Sequence, residues 1–254
     1  MKDKVVIIPV HNQLDYLKVA LESVYEKQKD AKVIVVDDGS TDMATAEWIK
    51  LNKNVYFYDV VFHGKAFGFS KACNDGIELA LEKYDFECLC LLNSDTKVVT
   101  NNWFDKVEAF FTANDGIGVA SVMSDSALAQ SVRSVTKYLV DVDKKPTVCT
   151  GLPHGFCYFI SRKLIEEIGL LDVELFPHYG SEDDYSLRAM ERGYINLLVG
   201  NVFVHHFESK SYSSEQRARI VQKSAPALGK KWGMAAVNRA GMLSVKAGNY
   251  INNH

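Results

Sequence analysis

Cys88-Leu89-Cys90-Leu91-Leu92-Asn93-Ser94-Asp95-Thr96 is the stretch that decides the fold. Residues 88–92 make an apolar run of the right length for a strand buried on both faces. The run then breaks into four polar residues. A strand that leaves an apolar core and ends in a carboxylate sets it at the carboxyl edge of a sheet, where open α/β sheets bind ligands. A hard divalent cation, which takes oxygen ligands, is one use for such a carboxylate. Asn, Ser, Asp and Thr serve equally well as turn or helix-capping residues, so the rest of the chain must decide.

Upstream, strand-like and helix-like segments alternate. Residues 4–9 (Lys-Val-Val-Ile-Ile-Pro) read as a β-branched strand closed by proline. Leu14, Leu17, Ala20, Leu21 and Val24 follow with helical spacing. Residues 32–36 read as a second strand, ending in Asp37-Asp38-Gly39-Ser40-Thr41-Asp42 ahead of a helix over 43–50. Residues 55–60 read as a third strand and 70–82 as a helix leading to the strand at 88–92. This β-α-β-α-β-α-β order predicts a parallel sheet with helices on both faces.

Composition narrows the function. With 254 residues, 47% hydrophobic and 24% charged, the chain can bury a large core as an ordinary globular protein. A net charge of −3 gives no reason to expect nucleic acid. The charge is uneven, however: from Arg217 to His254 there are seven Lys/Arg and no acid. A basic tail on an acidic body predicts contact with something anionic, such as a membrane surface, or a role in self-assembly. Five cysteines without a zinc spacing suggest reduced thiols and a cytoplasmic protein. The amino terminus does not read as a signal peptide, and no apolar stretch approaches the roughly 18 residues of a membrane span. Any membrane contact is therefore expected to be peripheral, at the inner face.

A dinucleotide-binding dehydrogenase requires G-x-G-x-x-G after the first strand, and Pro9-Val10-His11-Asn12-Gln13 has no glycine. A sugar nucleotidyltransferase would want a glycine- and arginine-rich loop there. Two acidic edge loops, Asp37-Asp38 and Asp95, instead fit a nucleotide. One carboxylate can accept hydrogen bonds from base or sugar while the other holds a cation on the diphosphate.

Residues 6–12 (Val-Ile-Ile-Pro-Val-His-Asn), 35–42 (Val-Val-Asp-Asp-Gly-Ser-Thr-Asp) and 91–96 (Leu-Leu-Asn-Ser-Asp-Thr) together resemble the family 2 glycosyltransferases, which have the GT-A fold. Residues 68–77 resemble the family's helix near the donor. Gly155-Phe156-Cys157 followed by Arg162 resembles its acceptor-side strand, and residues 181–189 (Ser-Glu-Asp-Asp-Tyr-Ser-Leu-Arg-Ala) resemble its catalytic acidic motif. The resemblance spans roughly residues 4–210. Each motif alone is weak; their order and spacing are specific.

The resemblance implies a Rossmann-like, mostly parallel sheet flanked by helices, with a C-terminal helical tail. It implies a GT-A domain over 1–211, with a nucleotide-sugar half at 1–100 and an acceptor and catalytic half at 101–211. Residues 212–254 form a basic helical extension. The implied activity is inverting transfer of a sugar from a nucleotide-diphosphate donor, with UDP the expected nucleotide, to a hydroxyl of a glycan, lipid-linked or protein acceptor. A divalent Mn2+ or Mg2+ would sit on the diphosphate. A catalytically silent nucleotide-sugar-binding or scaffolding protein is the alternative.

By the same resemblance, Asp95 is the metal-binding end of an Asp-x-Asp motif whose first carboxylate is here Asn93. Asn93 and Ser94 then lie against the nucleotide, Asp38 accepts from the base with Asp37 as structural companion, and Pro9, Val10, Asn12, Lys71 and Asn74 line the donor site. One carboxylate among Glu182, Asp183 and Asp184 takes the acceptor's proton. Asp183 is favoured, with Asp184 next and Arg188 bracing the acids. Of His205-His206 only one can face the site, because a strand alternates its side chains; His205 is taken as the ligand. His154 and His178 flank the acceptor pocket without motif support, and Lys230-Lys231-Trp232 reads as a docked tail helix.

Overall fold

A computed structural model describes residues 2–56, 58–126, 128–207 and 214–254. The described residues build a three-layer α/β/α domain. Its strands are β1 (Lys4–Val10), β2 (Ala31–Asp37), β3 (Asp59–Phe62), β4 (Cys88–Leu92), β5 (Thr96–Val98), β6 (Ile117–Met123), β7 (Thr147–Thr150), β8 (Cys157–Ser161) and β9 (Ile195–His206). They form one sheet in the order β3-β2-β1-β4-β8-β6-β9-β5, with β7 also paired to β9. β3, β2, β1 and β4 are parallel, and so are β6 and β9; β8 runs antiparallel between β4 and β6. β7 and β5 run antiparallel to β9.

Alternation along the central strands makes both faces apolar. Val6, Ile8 and Val10 of β1 enter one core with Val33 and Val35 of β2 and Cys88, Cys90 and Leu92 of β4. Val5 and Ile7 enter the other with Ile34, Val36, Leu89 and Leu91. Helices α1 (Leu14–Lys27) and α4 (Trp103–Ala113) cover the first face, through Leu17, Leu21 and Val24 and through Trp103, Phe104 and Val107. Helices α3 (Phe69–Lys83), α6 (Arg162–Ile168) and α7 (Ser181–Glu191) cover the second, through Ala72, Cys73, Ile77, Leu164 and Tyr185.

One expectation is corrected. Helix α2 (Met43–Tyr56) continues through the stretch read as strand, and the strand is Asp59–Phe62; Phe57 lies outside the described residues. Packing overrides the β-propensity of Val55 and Tyr56. Tyr56 lies on Trp48, at 5.6 Å between ring centroids, and stacks on Tyr25 at 6.3 Å. Val55 is left exposed.

The tail is two packed helices, α8 (Ser214–Trp232) and α9 (Met234–Asn253). The boundary expected at 211/212 lies outside the described residues. Ala240, Ser244, Ala247, Gly248 and Ile251 recur at helical spacing and form the buried face of α9. Ser244 Oγ accepts the Leu152 N–H at 2.7 Å. The end of α8 is fastened to α7 through Asp184, which is 0% exposed. That carboxylate meets Arg188 Nε at 3.1 Å, Lys231 Nζ at 2.8 Å and the Trp232 indole N–H at 2.8 Å. A buried carboxylate is stable only when paired and hydrogen-bonded, so Asp184 holds the two helices together. Removing one partner from such a network leaves uncompensated buried charge, at a cost of about 3 kcal/mol or more. Asp184→Ala is expected to lose at least about that much in urea unfolding; a loss under about 1 kcal/mol would refute this role.

Candidate active site

Because β1, β2, β4, β6 and β9 point the same way, their carboxyl ends share one edge. Asp37-Asp38, Asn93-Ser94-Asp95, Asp125 and His205-His206 all lie at those ends. β8 runs the other way, so the residues before it, His154-Gly155-Phe156, reach the same edge. Asn93 N–H donates to the Phe156 carbonyl at 2.9 Å, joining the two groups.

Asp38 organises the loop between β3 and α3. Its carboxylate accepts from Phe67 N–H and Gly68 N–H, each at 2.8 Å, and faces His63 Nδ1 at 2.8 Å. A carboxylate offers about four lone-pair sites, which leaves room for one further donor. Asp37 accepts the Ser40 N–H at 3.0 Å and shapes the turn. Asn12 ties the two edge loops together: its N–H donates to Ser40 Oγ at 2.7 Å and its Oδ1 accepts from Asp42 N–H at 2.9 Å. Val10 puts its side chain into the core and its carbonyl on the Asp38 N–H, at 2.8 Å; Pro9 lies in register with Val36. Lys71 is held by Asp75, whose other oxygen faces His63 Nε2 at 2.8 Å.

Asn74 is withdrawn from the donor set. Its amide is spent on the backbone of Leu171, donating at 2.9 Å and accepting at 3.0 Å. This latch, with Ser70 N–H donating to the Pro177 carbonyl at 3.1 Å, moors the 171–180 loop on α3. Gly68 permits the approach: its φ is +103°, and a Cβ would lie 2.6 Å from the Pro177 carbonyl oxygen. The loop delivers the N-terminus of α7 with its three acids.

Those acids divide. Asp184 is removed as a base by burial and its three donors; Arg188 braces this acid, and its other nitrogens reach the Ile168 and Leu170 carbonyls. Asp183 is half-buried, and its pKa is raised to about 7 by burial and by the charges of Glu182 and Asp184. Burial also raises Glu182. Glu182 lies against Gly155, where a Cβ would meet its carboxyl carbon at 3.0 Å. A carboxylate poised near neutrality is matched to proton abstraction.

The histidine expectation is corrected. His206 Nε2 lies 3.4 Å from Asp95 Oδ1, while His205 turns to Asp125. Alternation admits one of the two, and pairing of β9 with β5 sets which: Thr96 is in register with His206 and Lys97 with His205. Asp95 is 6% exposed. His154 has its pKa pushed down to about 4, chiefly by burial, so it is a neutral imidazole. Burial also lowers His178, which lies against Gly68.

Among the described residues no group of three or more His, Cys, Asp or Glu converges on a cation site. The pair Asp95 and His206 nevertheless fits one. Two ligands at right angles on an ion ~2.1 Å away stand ~3.0 Å apart, close to the spacing seen. Asn93 Oδ1 beside them is buried without a hydrogen-bond partner, an acceptor left for a bound group. Magnesium-like ions keep one or two protein ligands and take the rest from phosphates and water.

The model of glycosyl transferase family 2 matches residues 5–169. The chain belongs to glycosyltransferase family 2. It is 36% identical over 93 residues to an uncharacterized glycosyltransferase of Rickettsia felis, covering 35% of this chain and 14% of that protein. It is 22% identical over 240 residues to the uncharacterized protein y4gI of Sinorhizobium fredii, covering 85% of this chain and 26% of that protein. The chain thus spans about a quarter or less of these relatives. Two solved structures share its fold. The mannosyltransferase PcManGT of Pyrobaculum calidifontis, in complex with GDP-Man and Mn2+, superposes with TM-score 0.68 at 17% identity, over 98% of this chain and 75% of that one. GalNAc-T7 with UDP, GalNAc and Mn2+ gives 0.66 at 18%, over 87% and 48%. The family 2 chain therefore has the GT-A architecture.

Two results are expected from Asp183. If it is the base, kcat/KM rises with pH and reaches half its plateau near pH 7; a flat profile between pH 5.5 and 8.5 would exclude it. Its raised pKa also means the folded state binds this proton more tightly than the unfolded chain does. Its contribution to stability is thus lost as pH rises from the ordinary carboxylate range through about 7. Asp183→Asn is expected to raise the Tm at pH 8 by about 2 °C or more and to leave it near wild type at pH 4.

Proposed function

We propose that this chain is an inverting glycosyltransferase that moves a sugar from a nucleotide-diphosphate donor, UDP-linked, to a hydroxyl of a growing glycan. The observation that carries the reading is Asp183, a carboxylate poised near neutrality at the N-terminus of α7. Asp183 accepts the proton of the acceptor hydroxyl as that oxygen attacks the anomeric carbon from the face opposite the diphosphate. One base and one displacement invert the configuration. Asp38 takes a hydrogen bond from the base through its remaining lone pair, and Asn93 Oδ1 accepts from the donor. Asp95 and His206 would hold Mn2+ or Mg2+, which supplies charge neutralisation on the departing diphosphate. Glu182, with Gly155 making room, borders the acceptor. Binding alone would not need a carboxylate held in this state, which argues against the silent scaffold.

The tail is assigned a second contact. α9 carries exposed Met242, Leu243 and Tyr250 on one stripe with Arg239 and Lys246, and no acid. Apolar side chains interleaved with cations complement an anionic lipid surface. No helix among the described residues is long and apolar enough to cross a membrane, so the contact is peripheral. Buried free thiols at Cys73, Cys88, Cys90 and Cys157 suit the reducing cytoplasm.

Titration calorimetry with UDP, GDP and dTDP tests the donor reading. UDP is expected to bind at least tenfold more tightly with Mn2+ than without, and Asp95→Ala is expected to erase that gain. No binding of any nucleotide would refute it. Vesicles rich in anionic lipid are expected to sediment the protein, and Arg239→Glu with Lys246→Glu to release it. Equal binding to neutral vesicles, or a dimer that Met242→Asp dissociates without any vesicle binding, would refute the lipid assignment.

A further inference from the structure

The turn after β6 grips His206 at three points. Asp125 Oδ1 accepts the His206 N–H at 3.2 Å. Ser126 Oγ donates to the His206 carbonyl at 2.5 Å. The Ser126 carbonyl faces His206 Nδ1 at 3.4 Å. The other oxygen of Asp125 holds the His205 ring, and Ser124 Oγ donates to Asp125 Oδ1 at 3.2 Å. Phe156 stacks on the His206 ring, with centroids 5.2 Å apart and planes at 18°. On the far side, Phe207 N–H donates to the Asp95 carbonyl at 2.9 Å.

This arrangement has a chemical consequence. A carbonyl can only accept, so Nδ1 is the nitrogen that donates to it, and Nε2 is the one left to face a cation. Nε2 is the nitrogen 3.4 Å from Asp95 Oδ1. A metal-ligating histidine characteristically has its second nitrogen fixed in this way by a carbonyl or carboxylate. Here the same turn also fixes the backbone on either side of the ring. Asp125 occupies His205, so the strand end cannot present that ring instead.

We propose that Asp125, with Ser126, is the positioning element that presents His206 Nε2 to the diphosphate-bound cation and keeps His205 away from it. The inference rests on the metal reading of Asp95 and His206. Neither Asp125 nor Ser126 touches the cation; both act through His206.

The test is Mn2+ binding followed by electron paramagnetic resonance in the presence of UDP, alongside UDP affinity without metal. Outer-shell partners of metal ligands typically contribute about 10- to 100-fold in affinity. Asp125→Ala is expected to weaken Mn2+ binding by that factor while metal-free UDP affinity is unchanged. Asp125→Asn keeps an oxygen for the His206 N–H and is expected to recover most of it. His205→Ala is expected to stay within about threefold of wild type, and His206→Ala to abolish Mn2+ binding. Ser126→Ala, a smaller change, decides the matter should Asp125→Ala fail to fold; it is expected to lose Mn2+ affinity alone. Wild-type Mn2+ affinity in both Asp125→Ala and Ser126→Ala would overturn the inference, as would parallel loss of metal-free UDP binding. If the wild type itself binds no Mn2+, the metal reading fails first, and that result is distinct from either.

Discussion

The buried carboxylate of Asp184 is the constraint on which the site depends. It cannot remain charged without donors, and it draws them from two helices: Arg188 from its own and Lys231 and Trp232 from α8. That demand packs the tail against the acidic helix, where Phe176, Leu187, Leu228 and Ala240 close an apolar cluster. It also consumes the cations. Asp183, one residue earlier, has its proton held by burial and by two negative neighbours. One acid is neutralised in place for structure, and its neighbour is thereby left reactive.

The sheet supplies the other half of the arrangement. Two sets of strands point to one edge, and an antiparallel strand between them brings its preceding loop there as well. The carboxylates at the ends of β2 and β4, the histidine at the end of β9 and Gly155 ahead of β8 therefore share one edge without any long excursion of the chain. The 171–180 loop is fastened to α3 by backbone and amide bonds, so the acidic helix takes its position from α3. A structural polar group does the mooring in each case: Asn74 on Leu171, Asn12 on the 40–42 turn, Asp38 on the 67–68 amides. The family 2 motif residues are thus partly scaffold.

Much of this was legible in the sequence. The strands at 4–10, 31–37 and 88–92 announce themselves because burial on both faces demands unbroken apolar runs. Asp95 and the acids at 182–184 follow from their places at a strand end and a helix start. The errors have physical reasons. Val55 and Tyr56 have strand propensity, yet aromatic packing on Trp48 and Tyr25 keeps them helical. His205 and His206 are indistinguishable in composition; only the register with Thr96 separates them. Asp184 could not be told from Asp183 because two of its three partners lie 47 and 48 residues away. Lys230-Lys231-Trp232 reads as a docked helix, but the sequence does not say which acid it docks onto. Asp125 was missed although the signal existed: like Asp95, it follows an apolar strand at its carboxyl end.

The central claim is that a single carboxylate directs one displacement at the anomeric carbon. Proton NMR of the sugar released when α-linked UDP-sugar is incubated with the protein and Mn2+, water serving as acceptor, tests it most directly. The account predicts that the first product carries the β configuration, ahead of mutarotation, and that Asp183→Asn releases none. Release of the α anomer first would contradict it, since one attack from the face opposite the diphosphate cannot retain the configuration.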